Sequence, residues 1–299
     1  MLWLGVDMGG TATRWVARDA AGAEVARGAV AGGSAVPDPT ARAAFTRVLT
    51  EIAGAAPGRL LAATLGLTGA GLVADPALRA DTAQALRLPE ARVNILNDVV
   101  LAGFAAYPGS AQGHLIAAGT GSVAVHKAAS GTVTVVGGRG ILIDDAGSGA
   151  WIALQALRAI WRRIDASGAP DGLETLARCL FDALGGDEWE VTRQVVYGGD
   201  RGRIAALAPA VAEAARAGDA VALALLEQAG HELARLARAL SARCGPGPVA
   251  AIGGVLALHP AVAASLAAAL PDVTLTRPDL DAAAQAATMA LSTHAPETP

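Results

Sequence analysis

The sequence predicts an α/β chain made of two successive copies of one unit, each a mixed sheet covered by helices, with a cleft between the halves. Three observations carry that expectation. Three short apolar runs at the N-terminus are followed by strand–helix alternation, which implies antiparallel strands continued by parallel ones. The same order restarts after Tyr107–Gly113, a stretch rich in Gly, Pro and Ser that marks a boundary. A glycine-rich turn sits between the first two strands of each half. The division is therefore 1–110 and 111–299, with the last helix a candidate to pack back on the first half.

Taken in order, the first half offers strands at Leu2–Val6, Thr13–Arg18, Ala23–Val30, Leu60–Gly66 and Val93–Leu96. Its helices are expected at Pro39–Ile52, Pro76–Leu86 and Val99–Ala106. The second half opens with strands at His114–Ala118, Val123–Lys127 and Thr132–Val136. Helices follow at Ser148–Arg163, Arg178–Leu184, Ile204–Arg216 and Ala220–Arg243. Strand Val249–Ile252, helix Pro260–Leu270, strand Val273–Thr276 and helix Asp281–Ser292 complete the repeat, and Thr293–Pro299 is expected to fray.

Composition narrows the function. The 299 residues suffice for a sizeable core, and the 53% of hydrophobic residues marks a globular chain. Aromatic residues are only 3%, so the core must be built from aliphatic side chains. The net charge of -4, without any basic block, argues against nucleic acid or an anionic membrane surface as the main partner. Cys179 and Cys244 are far apart and outside metal-ligand spacing, so no disulfide framework, iron–sulfur site or structural zinc is expected. No basic region precedes the first apolar run, which Asp7 interrupts; no signal peptide is read, and a cytoplasmic location is expected. Val249–Leu270 could imitate a membrane span by length, but Gly253-Gly254 and His259-Pro260 divide it into a strand, a turn and a soluble helix.

Five polar sites carry the chemistry. Asp7 ends the first apolar run, and Gly9, Gly10, Thr11 and Thr13 follow. Glycines at such a turn let backbone N–H groups approach an anion, the threonines can add hydroxyl donors, and a carboxylate just ahead can hold hydrated Mg²⁺. An ordinary Asp-Gly-Gly hairpin is the alternative. Gly119, Thr120, Gly121 and Ser122 occupy the equivalent turn of the second half. Two such hairpins facing one cleft would clasp a triphosphate from both sides. A dinucleotide fingerprint is not expected at this turn, because a strand rather than a helix follows it.

Asn97-Asp98 follows a strand and opens a helix. Asp98 is either the N-cap of that helix or a carboxylate that takes a proton from a substrate hydroxyl during phosphoryl transfer. In Gly137-Gly138-Arg139-Gly140, followed by Ile141 to Ser148, glycines and the pair Asp144-Asp145 suit a backbone passing close to a sugar, whose hydroxyls donate to carboxylates; a solvated turn capping the next helix is the alternative. Gly253-Gly254, between a strand and a helix, is either a nucleotide turn or a simple tight turn. The five histidines show no ligand spacing and are given no chemistry. Trp151 and Trp161 read as core rather than ligand-stacking rings, and no Gly-x-Ser-x-Gly elbow is present.

These five sites, in this order, resemble the sugar-kinase, Hsp70 and actin superfamily. Within it the chain is similar to the N-acetylglucosamine kinase branch of the BadF/BadG/BcrA/BcrD ATPase family. The most specific stretch runs from Gly137 to Ala156, where the family has a similar Gly-Gly-x-Gly, Asp, Gly-Ser and Trp-Ile-Ala pattern. The resemblance implies a duplicated ribonuclease H-like fold of the actin/hexokinase type and ATP-dependent phosphorylation of an amino sugar. It implies that Gly9, Gly10 and Thr11 form a first phosphate loop, with Asp7 toward Mg²⁺. Gly119, Thr120, Gly121 and Ser122 would form the second, reaching toward the sugar. Asp98 would be the base acting on the sugar 6-hydroxyl, Gly138, Arg139, Gly140 and Asp145 would line the sugar pocket, and Gly253 and Gly254 would lie at the adenosine. A homodimer is implied by the resemblance alone.

Three departures bear on the sugar rather than on the phosphates. Val123 stands where family members often have Asn, Arg139 where they often have Trp, and Gly32-Gly33-Ser34-Ala35 where an Asn is frequent. Glucosamine or another cell-wall-derived amino sugar is therefore the nearest alternative substrate. ATPase activators of CoA-ester dehydratases or reductases share the wider family, but need cluster-binding cysteines that Cys179 and Cys244 do not offer. A sugar-responsive transcription regulator is not expected, because the chain starts directly at the first phosphate loop.

Overall fold

The computed structural model describes residues 1–10, 12–33, 39–71 and 75–295, which form two compact units. The first comprises Met1–Ala111 joined by the chain from Asp279 on; the second is Gln112–Pro278.

The first unit holds strands β1 (Leu2–Met8), β2 (Ala12–Arg18), β3 (Glu24–Ala31), β4 (Leu60–Leu67) and β5 (Val93–Asn97). They lie in the order β3-β2-β1-β4-β5, with β1, β2 and β3 antiparallel and β1, β4 and β5 parallel. Helices α1 (Pro39–Ala55) and α2 (Pro76–Leu86) connect β3 to β4 and β4 to β5, and α3 (Asp98–Ala106) follows β5. The second unit repeats the plan with β6 (Gly113–Ala118), β7 (Ser122–Lys127), β8 (Val133–Gly137), β9 (Val249–Ile252) and β10 (Leu275–Thr276), in the order β10-β9-β6-β7-β8. Its pairings match strand for strand: β6, β7 and β8 antiparallel, β6, β9 and β10 parallel. The β1–β2 and β6–β7 turns are therefore equivalent positions of one repeated topology.

Strand β1 is covered on both faces, which explains its unbroken apolar run. Leu2, Leu4, Val6 and Met8 point into a core with Phe45, Leu49 and Ile52 of α1 and Leu78 and Leu86 of α2. Trp3, Gly5 and Asp7 alternate to the other face. That face receives α12 (Ala282–His294), the last helix of the chain. A side chain on Gly5 would run into the backbone of Ala283 and Ala287, so the helix lies directly on the strand. Asp281 caps α12 by accepting from the Ala284 N–H at 2.9 Å, and Arg27 pairs with the same carboxylate at 3.1 Å. At the other end the Trp3 indole N–H donates to the His294 carbonyl at 3.2 Å.

The second unit inserts helices between β8 and β9: α4 (Gly149–Ser167), α5 (Glu174–Leu184), α6 (Trp189–Tyr197), α7 (Arg201–Ala205), α8 (Ala208–Arg216) and α9 (Ala220–Cys244). The 25-residue α9 packs on β6, β7 and β8, and α11 (Pro260–Ala268) packs on α9. The expected single helix Ile204–Arg216 is two, α7 and α8, because Pro209 near the start of α8 has no N–H to continue a preceding helix. Helix α6 was not expected; its hydrophobic stripe is short and Trp189 is 45% exposed. The Val249–Leu270 stretch is β9, the short α10 (Val255–Leu258) and α11, and among the described residues no helix is long and apolar enough to cross a membrane.

Gly5 supplies a stability test. Gly5→Ala forces a methyl into the α12 backbone and is expected to cost about 3 kcal/mol in urea-induced unfolding. Gly10→Ala, at a position where no atom of the described residues beyond its chain neighbours lies within 4 Å of the added carbon, is expected to change it by less than about 1 kcal/mol.

Candidate functional site

In the first unit, the carboxyl ends of β1, β4 and β5 bring three polar segments together. Open α/β sheets bind ligands at such edges, because loops and helix N-termini leave backbone donors there. Asp7 is the next-to-last residue of β1, opposite Arg14 on β2 and Gly66 on β4. Gly9 and Gly10 follow; the Gly9 N–H is taken by the Ala12 carbonyl at 3.1 Å, and its carbonyl accepts from Gly33 at 3.1 Å. The exposed Gly10 N–H has no partner among the described residues. Thr11 lies outside the described residues, as do Ser34 and Ala35. Thr13 is fully buried with its Oγ1 unpartnered among the described residues, so its hydroxyl lies inside the unit rather than on the exposed turn.

Asp98 does not cap α3. Asn97 does: its Oδ1 accepts from the Val99 N–H at 3.0 Å, while its Nδ2 donates to the Ala70 carbonyl at 2.8 Å. Asp98 becomes the first residue of the helix, half-buried. Its Oδ1 accepts from Val99 N–H at 2.9 Å, and its Oδ2 accepts from the hydroxyl of Thr68 at 2.6 Å. That contact has the short distance of a charge-assisted hydrogen bond.

The electrostatics of this edge set Asp7 apart. Its carboxyl is pushed up to about 6, first by burial, then by the charge on Asp98, with Asp281 adding to the rise and Arg14 opposing it. A half-buried carboxylate facing like charges calls for a cation. A hard-oxygen donor of this kind fits Mg²⁺, which keeps most of its water and takes one or two carboxylates together with substrate phosphates. Among the described residues no group of three or more His, Cys, Asp or Glu could hold a metal ion by itself.

In the second unit, the β6–β7 turn is stitched to α4. The N–H groups of Gly149 and Ala150 donate to the carbonyls of Gly119 and Thr120 at 2.9 and 3.4 Å, and Ser148 caps the helix through Trp151 N–H at 3.1 Å. Gly119 and Thr120 are exposed, and the N–H groups of Thr120 and Gly121 have no partner among the described residues. Ser122 is buried and donates its hydroxyl to the Ala146 carbonyl at 2.7 Å, so it braces the loop from within.

The loop beyond β8 packs against this turn. Gly138 N–H donates to the Ser122 carbonyl at 2.9 Å, and Val123 lies where a Gly138 side chain would start. Arg139 is exposed. Asp144 and Asp145 have different environments. Asp144 accepts from Ala146 N–H and pairs with Arg235 of α9 at 2.9 Å. Asp145 is 1% exposed; its Oδ1 accepts from Gly140 N–H at 3.2 Å, while its Oδ2 makes no hydrogen bond among the described residues. Arg201 approaches that oxygen at 3.5 Å, and both groups lie against Gly121. Burial raises the Asp145 carboxyl, against the pull of Gly140 and Arg201. Gly253 takes φ +107 and lies on the backbone of Ala118, which leaves no room for a side chain; Gly254 beside it is open.

The edge of the first unit thus unites Asp7, Gly9, Gly10 and Asp98, and the second unit unites Gly119, Thr120, Gly121, Gly138, Gly140 and Asp145. Two residues escaped the sequence reading. Thr68 stands at the carboxyl end of β4, as Asp98 stands just past β5, and that position was a usable signal. Arg201 reaches its partner from 56 positions away and left no local pattern.

The sequence matches the BadF/BadG/BcrA/BcrD ATPase family over residues 4–278. The chain belongs to that family. Among solved structures, this family member is similar to the proposed N-acetylglucosamine kinase of Chromobacterium violaceum, with 27% identity, 97% of this chain and 98% of that one covered, and a TM-score of 0.77. A second proposed N-acetylglucosamine kinase, from Porphyromonas gingivalis, shares the fold at 18% identity, with 96% and 97% covered and a TM-score of 0.73. A ROK family glucokinase from Streptomyces griseus, solved with glucose and AMPPNP, shares it at 19% identity, with 98% and 100% covered and a TM-score of 0.58. No curated protein matches the chain. The fold of this ATPase family member is the duplicated ribonuclease H-like, actin/hexokinase-type α/β fold, with one five-stranded mixed sheet in each unit.

Asp7 supplies a pH test. The folded protein holds the Asp7 proton more tightly than the unfolded chain, so the ionised carboxylate costs stability above about pH 6, a cost that fades as pH falls from 6 toward 4. Asp7→Asn is expected to stabilise the ligand-free protein at pH 8 by as much as about 3 kcal/mol, and to leave it unchanged near pH 3.5. Urea titrations at the two pH values measure the difference.

Proposed function

We propose that this protein is an ATP-dependent amino-sugar kinase that phosphorylates N-acetyl-D-glucosamine on its 6-hydroxyl. The observation that carries the reading is Asp98. It is a carboxylate just past the carboxyl end of β5, in the parallel part of a mixed sheet, relieved of helix capping by Asn97 and held by Thr68. Family membership supports ATP as the nucleotide, and the similarity to the Chromobacterium violaceum protein over nearly the whole chain supports the sugar.

In this reading Asp98 accepts the proton of the sugar hydroxyl as its oxygen forms a bond to the γ-phosphorus. The bond from that phosphorus to the β,γ-bridging oxygen breaks, and ADP leaves. Gly10, Thr120 and Gly121 direct backbone N–H groups at phosphate oxygens, Gly9 shapes the first turn through its bonds to Ala12 and Gly33, and Thr13, paired with Met8 across β1 and β2, supports that turn from within. Asp7 is the residue that would hold Mg²⁺, which neutralises phosphate charge when bound. Asp145 accepts from sugar hydroxyls through Oδ2, which has no hydrogen bond among the described residues, and Gly138, Arg139, Gly140 and Ser122 shape the same pocket. Gly253 and Gly254 flank the adenosine. Exclusion of water from the bound sugar and ATP limits wasteful hydrolysis. The protein acts on small molecules as a cytoplasmic enzyme, and a homodimer is its proposed assembly.

The decisive assay is ADP release from Mg-ATP with N-acetylglucosamine, glucosamine, N-acetylmannosamine, glucose, N-acetylmuramic acid or no sugar. Release that depends on N-acetylglucosamine is expected; equal release with and without every sugar would point to an ATPase coupled to a protein partner. Asp98→Asn is expected to lower kcat by roughly 10²–10⁴ with little change in ATP affinity. Near-normal turnover would remove Asp98 from its role.

A further inference from the structure

The turn after β4 does more than connect elements. Thr68 touches the candidate site twice. Its N–H donates to the Met8 carbonyl at 3.0 Å, where β1 leads into the Gly9-Gly10 turn, and its hydroxyl donates to Asp98 Oδ2 at 2.6 Å. Two residues on, the Ala70 carbonyl accepts from the Asn97 side chain at 2.8 Å, and the Ala70 N–H closes the turn on Leu67 at 3.2 Å. The segment 67–70 is thus tied to the end of β1 on one side and to the Asn97-Asp98 pair on the other.

From this geometry we propose that Thr68 is a positioning residue for phosphoryl transfer: it fixes the Asp98 carboxylate relative to the Gly9-Gly10 turn. The proposal rests on the reading of Asp98 as the base. A carboxylate at the first position of a helix is free to rotate about two side-chain bonds. Val99 N–H restrains one oxygen of Asp98, but that donor belongs to the next residue and moves with it. Thr68 lies in the turn after β4 and is itself anchored on the Met8 carbonyl at the end of β1, so its bond refers the carboxylate to the sheet edge. A base must meet its hydroxyl within a few tenths of an ångström, and an error of about 1 Å costs on the order of 10²-fold in rate. Thr68 touches neither phosphate nor sugar in this scheme, so its loss should appear in turnover rather than in binding.

Three substitutions in the full-length protein test this, with kcat, KM for ATP and KM for the sugar measured in the ADP-release assay. Thr68→Val keeps the side-chain volume and removes the donor; it is expected to lower kcat roughly 10–100-fold while both KM values stay within about twofold. Thr68→Ser restores the hydroxyl and is expected to return kcat to within about threefold of the parent. Should Thr68→Val fail to fold, judged by circular dichroism, Thr68→Ala against Thr68→Ser makes the same comparison. Unchanged kcat in the variant without a hydroxyl overturns the proposal. So does a loss that Thr68→Ser shares, or one spread over kcat and both KM values, because either marks a merely structural role. Asp98→Asn in the same assay separates the two levels of argument. If it is nearly as active as the parent, the base assignment fails and takes the Thr68 role with it. If it is inactive while Thr68→Val is normal, only the Thr68 role fails.

Discussion

The contact between α12 and Gly5 underlies everything at the edge of the first unit. Only a glycine in the middle of β1 lets a helix backbone lie directly on the strand. The helix answers with its own small residues: Ala283, Ala286, Ala287 and Ala290 are all buried. This contact covers the face of β1 from which Asp7 also projects, and it brings the capping carboxylate of Asp281 near enough to affect Asp7. Helix α3 packs against the same helix through Leu101, Ala282 and Ala286, and its first residue is Asp98. A core built with few aromatic rings is therefore more than a matter of composition. Small side chains permit close approach, and close approach assembles the carboxylates.

That assembly costs stability. Asp7 is half-buried, faces two like charges and has Arg14 as its main counterweight. Such an arrangement persists only where the rest of the unit over-determines it. The two core faces of β1, the cap on α12 and the Trp3–His294 bond supply that excess. The second unit carries a parallel strain in Asp145, a buried carboxylate with one oxygen left without a hydrogen bond among the described residues and a half-exposed arginine at 3.5 Å. Strained electrostatics at these two points is the pattern expected where a site is arranged to receive a charged ligand.

Much of this was legible in the sequence, and the reasons differ by feature. The duplicated topology could be read because period-2 apolar runs and glycine turns are local signals, and they recur in the same order in both halves. Helix ends were less legible. Pro209 splits one expected helix, and α6 presents too short an apolar stripe to stand out. The choice between the two readings of Asp98 could not be made locally, since Asn and Asp are both good caps and stand side by side. The hydrogen bond of Asn97 to Ala70, 27 positions away, favours Asn97. Likewise Asp144 and Asp145 are equivalent as letters. Arg235 on α9 takes the first, and the packing of Gly121 and Arg201 closes over the second.

The same contrast explains why the chemistry of phosphates is easier to read than the choice of sugar. Phosphate loops work through backbone N–H groups, so their signature is glycine spacing, which the chain shows openly. Sugar selection works through side chains brought together by tertiary contacts. Val123 is a case in point: as a letter it is a missing amide, but in the fold it is the floor on which Gly138 rests. In the proposed reading, an apolar floor there removes one hydrogen-bond partner for the sugar and leaves it Asp145, whose Oδ2 makes no hydrogen bond among the described residues and has only Arg201 at 3.5 Å. Polar contacts that a site makes are also the ones it demands, because a buried acceptor left unpaired is penalised by about 1–3 kcal/mol. Under the proposed function, discrimination among amino sugars would turn on which of them can present a hydroxyl to Asp145 Oδ2 while tolerating the exposed Arg139 in the same loop.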